Sequence, residues 1–258
     1  MLSYDLHVHP GPSRTPRWGT GSEVQKAAEE HGVRGFVWKA HEQHTPRLCA
    51  ALPPSPVRAF GSASLNPWST LAEVLQALDD GAAWLWGPTI SGEGDVAWEL
   101  ELPLYWPELA DALRRLERPL VLATGHLATR GRAAFAEVAA ASPSLLCSVT
   151  HTLYVPPDEL LELAARGAVF EIDAYTLRHD LPGRDRHGPE NVVGPLLGAD
   201  ALVYFTSDGG QAATGDPFVF AAESLDELGK LIGDERAEEL GVAGPSAVVA
   251  WIERGAAP

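Results

Sequence analysis

The sequence predicts an α/β fold, a single (β/α)8 barrel of the TIM type, and two observations carry that prediction. Eight short β-like runs alternate with helical stretches along the 258 residues, the rhythm of parallel strands each followed by a packing helix. Five of the nine histidines lie at the ends of those runs, where a barrel of this kind keeps its chemistry. A doubly wound open sheet is the structural rival, but it ordinarily needs fewer strands. Neither a Pro/Ser-rich linker nor a repeat divides the chain, so residues 1–258 are expected to form one domain, with room for a distorted barrel and a C-terminal helical tail.

The elements follow in order. The first strand is expected over residues 4–9, with no basic and apolar leader before it. A helix over 21–31, terminated by Gly32, precedes a second strand over 34–41. The third, 57–65, runs into Asn66-Pro67; Ser69 then suits an N-cap, and Leu71, Val74, Leu75 and Leu78 share one helix face. The fourth, 82–88, ends at Thr89, and the glycine-rich stretch 91–101 reads as a loop. A helix over 104–116 leads to the fifth strand, 120–126, and a helix over 129–140 to the sixth, 145–151. Pro156-Pro157-Asp158 opens a helix reaching residue 166, since proline is tolerated in a first turn. The seventh strand, 168–175, enters a polar stretch over 178–187, and the eighth, 201–207, enters Asp208-Gly209-Gly210.

Composition excludes some partners. Asp and Glu total 35 against 19 Lys and Arg, a formal charge of −16, which repels nucleic-acid phosphates and anionic lipid. No apolar run reaches the length of a membrane span. A cytoplasmic protein acting on a small molecule is the expectation, and nothing in the sequence speaks to its oligomeric state. Cys49 and Cys147 stand far apart in no metal-ligand spacing and read as small packing residues. The only lysines are Lys26, Lys39 and Lys230, so Lys39, two residues before His41 on the second strand, stands out.

His7-Val8-His9 places two imidazoles on one side of a strand, and imidazole suits zinc, manganese or iron. With His126, His151 and Asp208 each ending a different strand, the set reads as a divalent-metal site. The motifs Asp5-Leu6-His7-Val8-His9, Thr124-Gly125-His126, Val149-Thr150-His151 and Thr206-Ser207-Asp208 resemble the metal-dependent amidohydrolase superfamily. With Lys39-Ala40-His41, they are similar to an uncharacterised amidohydrolase-related branch of it. The resemblance implies metal ligation by His7, His9, His126, His151 and Asp208, with Asp208 also moving the proton during hydrolysis. It implies zinc, with manganese and iron left open. Members of the superfamily bridge two metals with a carboxylated Lys or a Glu from strand four, but residues 83–89 offer neither.

Lys39 is the substitute bridge, giving two ions if carboxylated and otherwise one. It could instead remain an ammonium that binds substrate or pairs with Asp208 or Glu171. His41 and Glu171 are expected behind the ligands or as an extra ligand. Glu171 and Asp173 alternate on strand seven, and one of them is expected to face the pocket. Candidate substrate-binding residues are Arg14, Arg17, Asn66, Thr89, Arg178, Arg184 and Arg186; the arginines would meet an anionic group. Trp38, Trp84 and Trp86 read as barrel packing.

The expected reaction is hydrolysis of an amide, cyclic amide, lactone or related bond. A lyase, decarboxylase or cyclase on the same metal, or a Schiff base at Lys39, stays open because fold does not fix reaction. A phosphoesterase on a related barrel is a further alternative, weakened because such a chain ends in Asp-x-His where Asp208-Gly209-Gly210 stands and needs Glu where Asn66 stands. A metal-dependent binding protein without turnover completes the alternatives.

Overall fold

Short apolar runs bounded by turn residues become eight parallel strands: β1 (Asp5–Val8), β2 (Gly35–Trp38), β3 (Arg58–Ser64), β4 (Trp84–Trp86), β5 (Leu120–Ala123), β6 (Leu145–Val149), β7 (Val169–Asp173) and β8 (Val203–Thr206). The structure is a computed structural model that describes residues 2–181 and 184–254. The strands pair in chain order from β1 to β8. Val8 bridges Gly209 in parallel and the His9 N–H donates to the Gly209 carbonyl at 2.9 Å, which draws β8 back beside β1. The result is the predicted TIM-type barrel.

The helices are α1 (Gly21–Glu30), α2 (Pro46–Ala50), α3 (Leu71–Asp79), α4 (Trp106–Arg114), α5 (Thr129–Ala140), α6 (Pro157–Ala164), α7 (Ala174–Arg178), α8 (Pro189–Gly198), α9 (Pro217–Ile232) and α10 (Asp234–Arg254). α3 begins one residue later than Ser69 suggested. Thr70 is its N-cap, in a reciprocal box with Glu73, while the Ser69 hydroxyl donates to the Ser64 carbonyl. The short α2 and α7 and the proline-bearing α8 lacked a long enough apolar period to be predicted.

Two apolar layers result. The outer one lies between strands and helices; Trp38 belongs to it and is so close to α1 that a Cβ on Gly21 would fall 2.2 Å from its ring. The inner one fills the barrel with Val37, Phe60, Trp84, Trp86, Val121 and Tyr204 among others. α10 crosses the end where the strands begin and adds Val248, Val249 and Trp251 to that filling. Each such buried side chain contributes roughly 1.5–3 kcal/mol of transfer free energy. A Cβ on Gly244 would lie 2.5 Å from the Val203 carbonyl oxygen, so glycine is what lets α10 approach β8. The Ser3 N–H donates to Gly241 at 3.0 Å, and Arg58 pairs with Glu253 at 2.6 Å. Among the described residues, no helix is long and apolar enough to cross a membrane.

Candidate metal centre

The opposite end, where the strands finish, gathers the polar side chains. His7 and His9 bring their Nε2 atoms to the same oxygen, Oδ1 of Asp208, each at 3.1 Å. Asp208 stands just beyond β8 in a left-handed conformation, φ 44°. Gly210 follows at φ 91°, and a Cβ there would meet the His9 carbonyl oxygen at 2.8 Å; the glycine lets this turn lie against β1. His151, just beyond β6, is also left-handed, φ 52° and ψ 49°. Its Nδ1 lies 3.0 Å from Asp173 Oδ2.

Behind these groups stands a layer of carboxylates. Glu171 Oε1 faces His7 Nδ1 at 3.1 Å, and Glu171 Oε2 accepts from the Tyr204 hydroxyl at 3.3 Å. Asp173 accepts from the Thr176 N–H and hydroxyl, both at 2.7 Å. Asp5 Oδ1 accepts from the Thr206 hydroxyl at 2.5 Å and the Ser207 N–H at 3.1 Å, fastening β1 to the end of β8. Lys39 Nζ is buried 2.9 Å from His7 Nε2 and 4.4 Å above the Trp86 ring. The His126 ring lies flat on Trp98, centroids 3.8 Å apart, and its Nδ1 donates to the Ala97 carbonyl at 2.8 Å.

Burial shapes the charges. It pushes the imidazoles of His7, His9, His41 and His126 well below their usual range. Burial opposes charge on His151 as well, but Asp173, with Asp208 and Glu171, outweighs it and holds that imidazole above its ordinary value. Burial moves the Lys39 ammonium down and the Glu171 carboxyl up. It also pushes the Asp5 carboxyl up to about 6.

The donor set fits a divalent cation. A neutral His7 ring with its proton on Nδ1, toward Glu171, turns the Nε2 lone pair into the space shared by Lys39 Nζ at 2.9 Å and Asp208 Oδ1 at 3.1 Å. Carboxylate–imidazole pairing of this kind orients a metal-binding histidine, and Asp173 does the same for His151. His7, His9 and Asp208 form one group whose donor atoms lie within 4.8 Å of one another, and His151, Asp173 and Asp208 form a second. Asp208 is common to both. The buried His9 Nδ1 has no hydrogen-bond partner, so Asp208 Oδ1 is the polar group that ring addresses.

The other expected residues separate into those near the cavity and those elsewhere. A cavity of about 460 Å³ opens above the centre, lined by His9, Lys39, His41, His126, His151 and Asp208, and by Arg14 and Arg17. Arg178 turns away from it, paired with Glu227 and Glu223 on α9. Arg184 pairs with Glu99 at 2.6 Å and lies over Trp98, and Arg186 donates to the carbonyls of Thr176 and Leu177. These three arginines satisfy local partners in an acidic protein; Pro182 and Gly183, in the same stretch, lie outside the described residues. Asn66 holds loops together, its Oδ1 accepting from the Thr89 and Ile90 N–H groups and its Nδ2 donating to the His41 carbonyl. Thr89 reaches His41 Nδ1 at 2.9 Å, and the His41 and His9 rings are 4.7 Å apart.

Glu171 and Asp173 both point inward, as residues two apart on a strand must, so the expectation of one is corrected to two. Trp86 contributes to packing and also to the floor beside His7 and Lys39. Trp98 lies in the glycine-rich stretch whose composition predicts only a polar loop, and a lone tryptophan among those glycines is its one sequence signal.

Residues 3–102 match the model of a family of unknown function, DUF6282. No curated protein matches the sequence. Among solved structures, a prolidase complexed with N-methylphosphonate-L-proline is similar at a TM-score of 0.61 and 11% identity, over 97% of this chain and 74% of that one. A protein described as a probable 2-pyrone-4,6-dicarboxylic acid hydrolase from Acinetobacter baumannii, with citric acid bound, gives 0.60 and 12%, over 97% and 100%. A beta-aspartyl dipeptidase from Fervidobacterium islandicum AW-1, in complex with a beta-Asp-Leu dipeptide, gives 0.60 and 14%, over 96% and 73%. At these identities the likeness establishes the fold.

Proposed function

We propose that the chain is a metal-dependent hydrolase of the amidohydrolase type, opening an amide, cyclic amide, lactone or related bond in a small molecule. The observation that carries this reading is the convergence of His7 Nε2 and His9 Nε2 on Asp208 Oδ1, each at 3.1 Å, with the His151–Asp173 pair sharing the same aspartate. Three structural neighbours bearing the names prolidase, hydrolase and dipeptidase support it.

In this reading His7, His9, His126, His151 and Asp208 hold the metal, zinc before manganese or iron. A divalent cation held there would supply Lewis acidity and lower the pKa of water toward neutrality. Asp208 takes the proton released by the attacking water and returns it to the departing nitrogen or oxygen. Glu171 and Asp173 hold His7 and His151 in the orientation that ligation needs. Lys39, on a different strand from that expected of a bridge, adds a second carboxylate to the centre if its neutral amine takes up CO2. That forms an N–C bond and releases one proton. His41, kept in place by Thr89, stands beside His9.

Metal analysis of protein purified without chelators tests the reading. One equivalent or more of zinc, manganese or iron, lost in His7→Ala and in Asp208→Ala, is expected. Two equivalents falling to one in Lys39→Ala would mark the bridged form. Protein that holds none of these metals, even after reconstitution, would remove the proposal.

A further inference from the structure

We infer that Arg17 anchors a carboxylate of the substrate, so that the bonds cleaved belong to small molecules with a carboxylate at one end and an apolar group at the other; this rests on the hydrolase reading above. Arg17 lies in the loop between β1 and α1, and that loop is fastened to the segment following Asp208. The Trp18 N–H donates to the Gly210 carbonyl at 2.9 Å, the Ala212 N–H to the Pro16 carbonyl at 3.2 Å, and Arg17 forms an antiparallel bridge with Gln211. The guanidinium is thereby placed in the wall of the same cavity as His9, His151 and Asp208.

Its Nε is buried and has no hydrogen-bond partner. Among the described residues, no carboxylate stands within 4.0 Å of it, although Glu42 and Asp208 are close enough to act on its charge. Glu42 is already engaged: its oxygens accept from the Ser13 hydroxyl at 3.0 and 3.1 Å and from the Arg14 N–H at 3.2 Å. Arg178, Arg184 and Arg186 are committed to local acceptors, as described above. Arg14 in the same wall is exposed, so Arg17 is the half-buried arginine here whose guanidinium has no hydrogen-bond or ion-pair partner among the described residues and lies under the charge of Asp208.

A buried, unpaired guanidinium N–H carries a desolvation cost that an incoming anion removes, and its planar fork matches a carboxylate bidentately. A singly charged group meets Glu42 with half the repulsion that a phosphate dianion would. One stretch of the cavity wall is apolar: Ile90, Val96 and Trp68 line it, the last two 61% and 41% exposed. That wall takes the apolar end.

The test uses probes with no hydrolysable bond, 4-phenylbutyrate and 4-phenylbutanol, titrated calorimetrically into the full chain with its metal in place. The carboxylate is expected to bind more tightly than the alcohol. Arg17→Met should weaken it about tenfold to a hundredfold, the loss of a charge-assisted hydrogen bond, and leave the alcohol unchanged. Arg17→Lys should fall between, and Arg114→Met, an exposed partner of Asp111 on α4, should match wild type. Equal binding of the two probes, no binding of either, unchanged carboxylate affinity in Arg17→Met, or tighter binding of inorganic phosphate would each overturn the inference. Metal content measured on the same preparations reports separately on the hydrolase reading, so the two can fail independently.

Discussion

Replacing His151 by Gly and, separately, by Ala separates backbone strain from ligand loss. His151 sits at φ 52° and ψ 49°, a region that costs a residue bearing a Cβ roughly 1–2 kcal/mol. Both variants lose the imidazole and its 3.0 Å contact with Asp173. They differ only in whether a Cβ must occupy that backbone conformation and in the freedom of the unfolded chain. The second effect disfavours Gly by roughly 0.5–1 kcal/mol, leaving the Gly variant more stable by about 0.75 kcal/mol on the middle values of the two ranges. For a chain of this size that is a difference of roughly 1–4 °C in Tm. Urea unfolding of the two variants side by side, with chelator present, reads it directly. An Ala variant as stable as the Gly variant would refute the claim that the fold holds His151 against its backbone preference.

Further outcomes follow from the same geometry. Adding zinc to chelator-treated protein should raise Tm, since a ligand at a thousand times its Kd stabilises by about 4 kcal/mol; calorimetry of His9→Ala should show the gain gone. Gly125→Ala should lower Tm by several degrees, because Gly125 has φ 58° and a Cβ there would lie 2.5 Å from the Gly87 carbonyl oxygen. A thermal melt matching wild type would contradict that packing. Burial pushes the thiols of Cys49 and Cys147 up to about 12, so iodoacetamide at pH 8 should label them slowly until the chain unfolds; rapid labelling of native protein would show the burial wrong. Thiol ionisation then favours the unfolded chain, and stability should fall as pH climbs from about 9 toward 12.

Much of this centre is legible in the sequence because strand periodicity is a local property. His7, His9, His126, His151 and Asp208 each sit at a recognisable strand end, and parallel pairing in chain order brings strand ends together. The same period of two turns both Glu171 and Asp173 inward, where only one is expected from the sequence. The arginines were harder to place, since a guanidinium on a loop finds whichever acceptor the tertiary structure offers. Arg178 meets Glu223 and Glu227, some 45 and 49 residues away in sequence, and no local pattern encodes that meeting. Trp98 was missed for a similar reason. Its partner His126 lies on another loop, and the loop's composition alone looks solvated. The cap of α3 moved by one residue because Ser69 and Thr70 compete, and only Thr70 has an acidic residue three positions on.

The crossing of α10 beneath the barrel has a kinetic consequence. Ser3 is tied to Val242 and Ser246, contacts spanning 239 and 243 residues, and the seam between β1 and β8 joins ends almost as distant in sequence. Contacts this non-local form late, because the loop entropy they require is lost before they give anything back. A chain still emerging from the ribosome holds its β1 histidines without β8 and Asp208 to complete the group. Assembly of the candidate site is thereby tied to completion of folding: a chain interrupted before residue 208 has the imidazoles of His7 and His9 but not the carboxylate on which they converge.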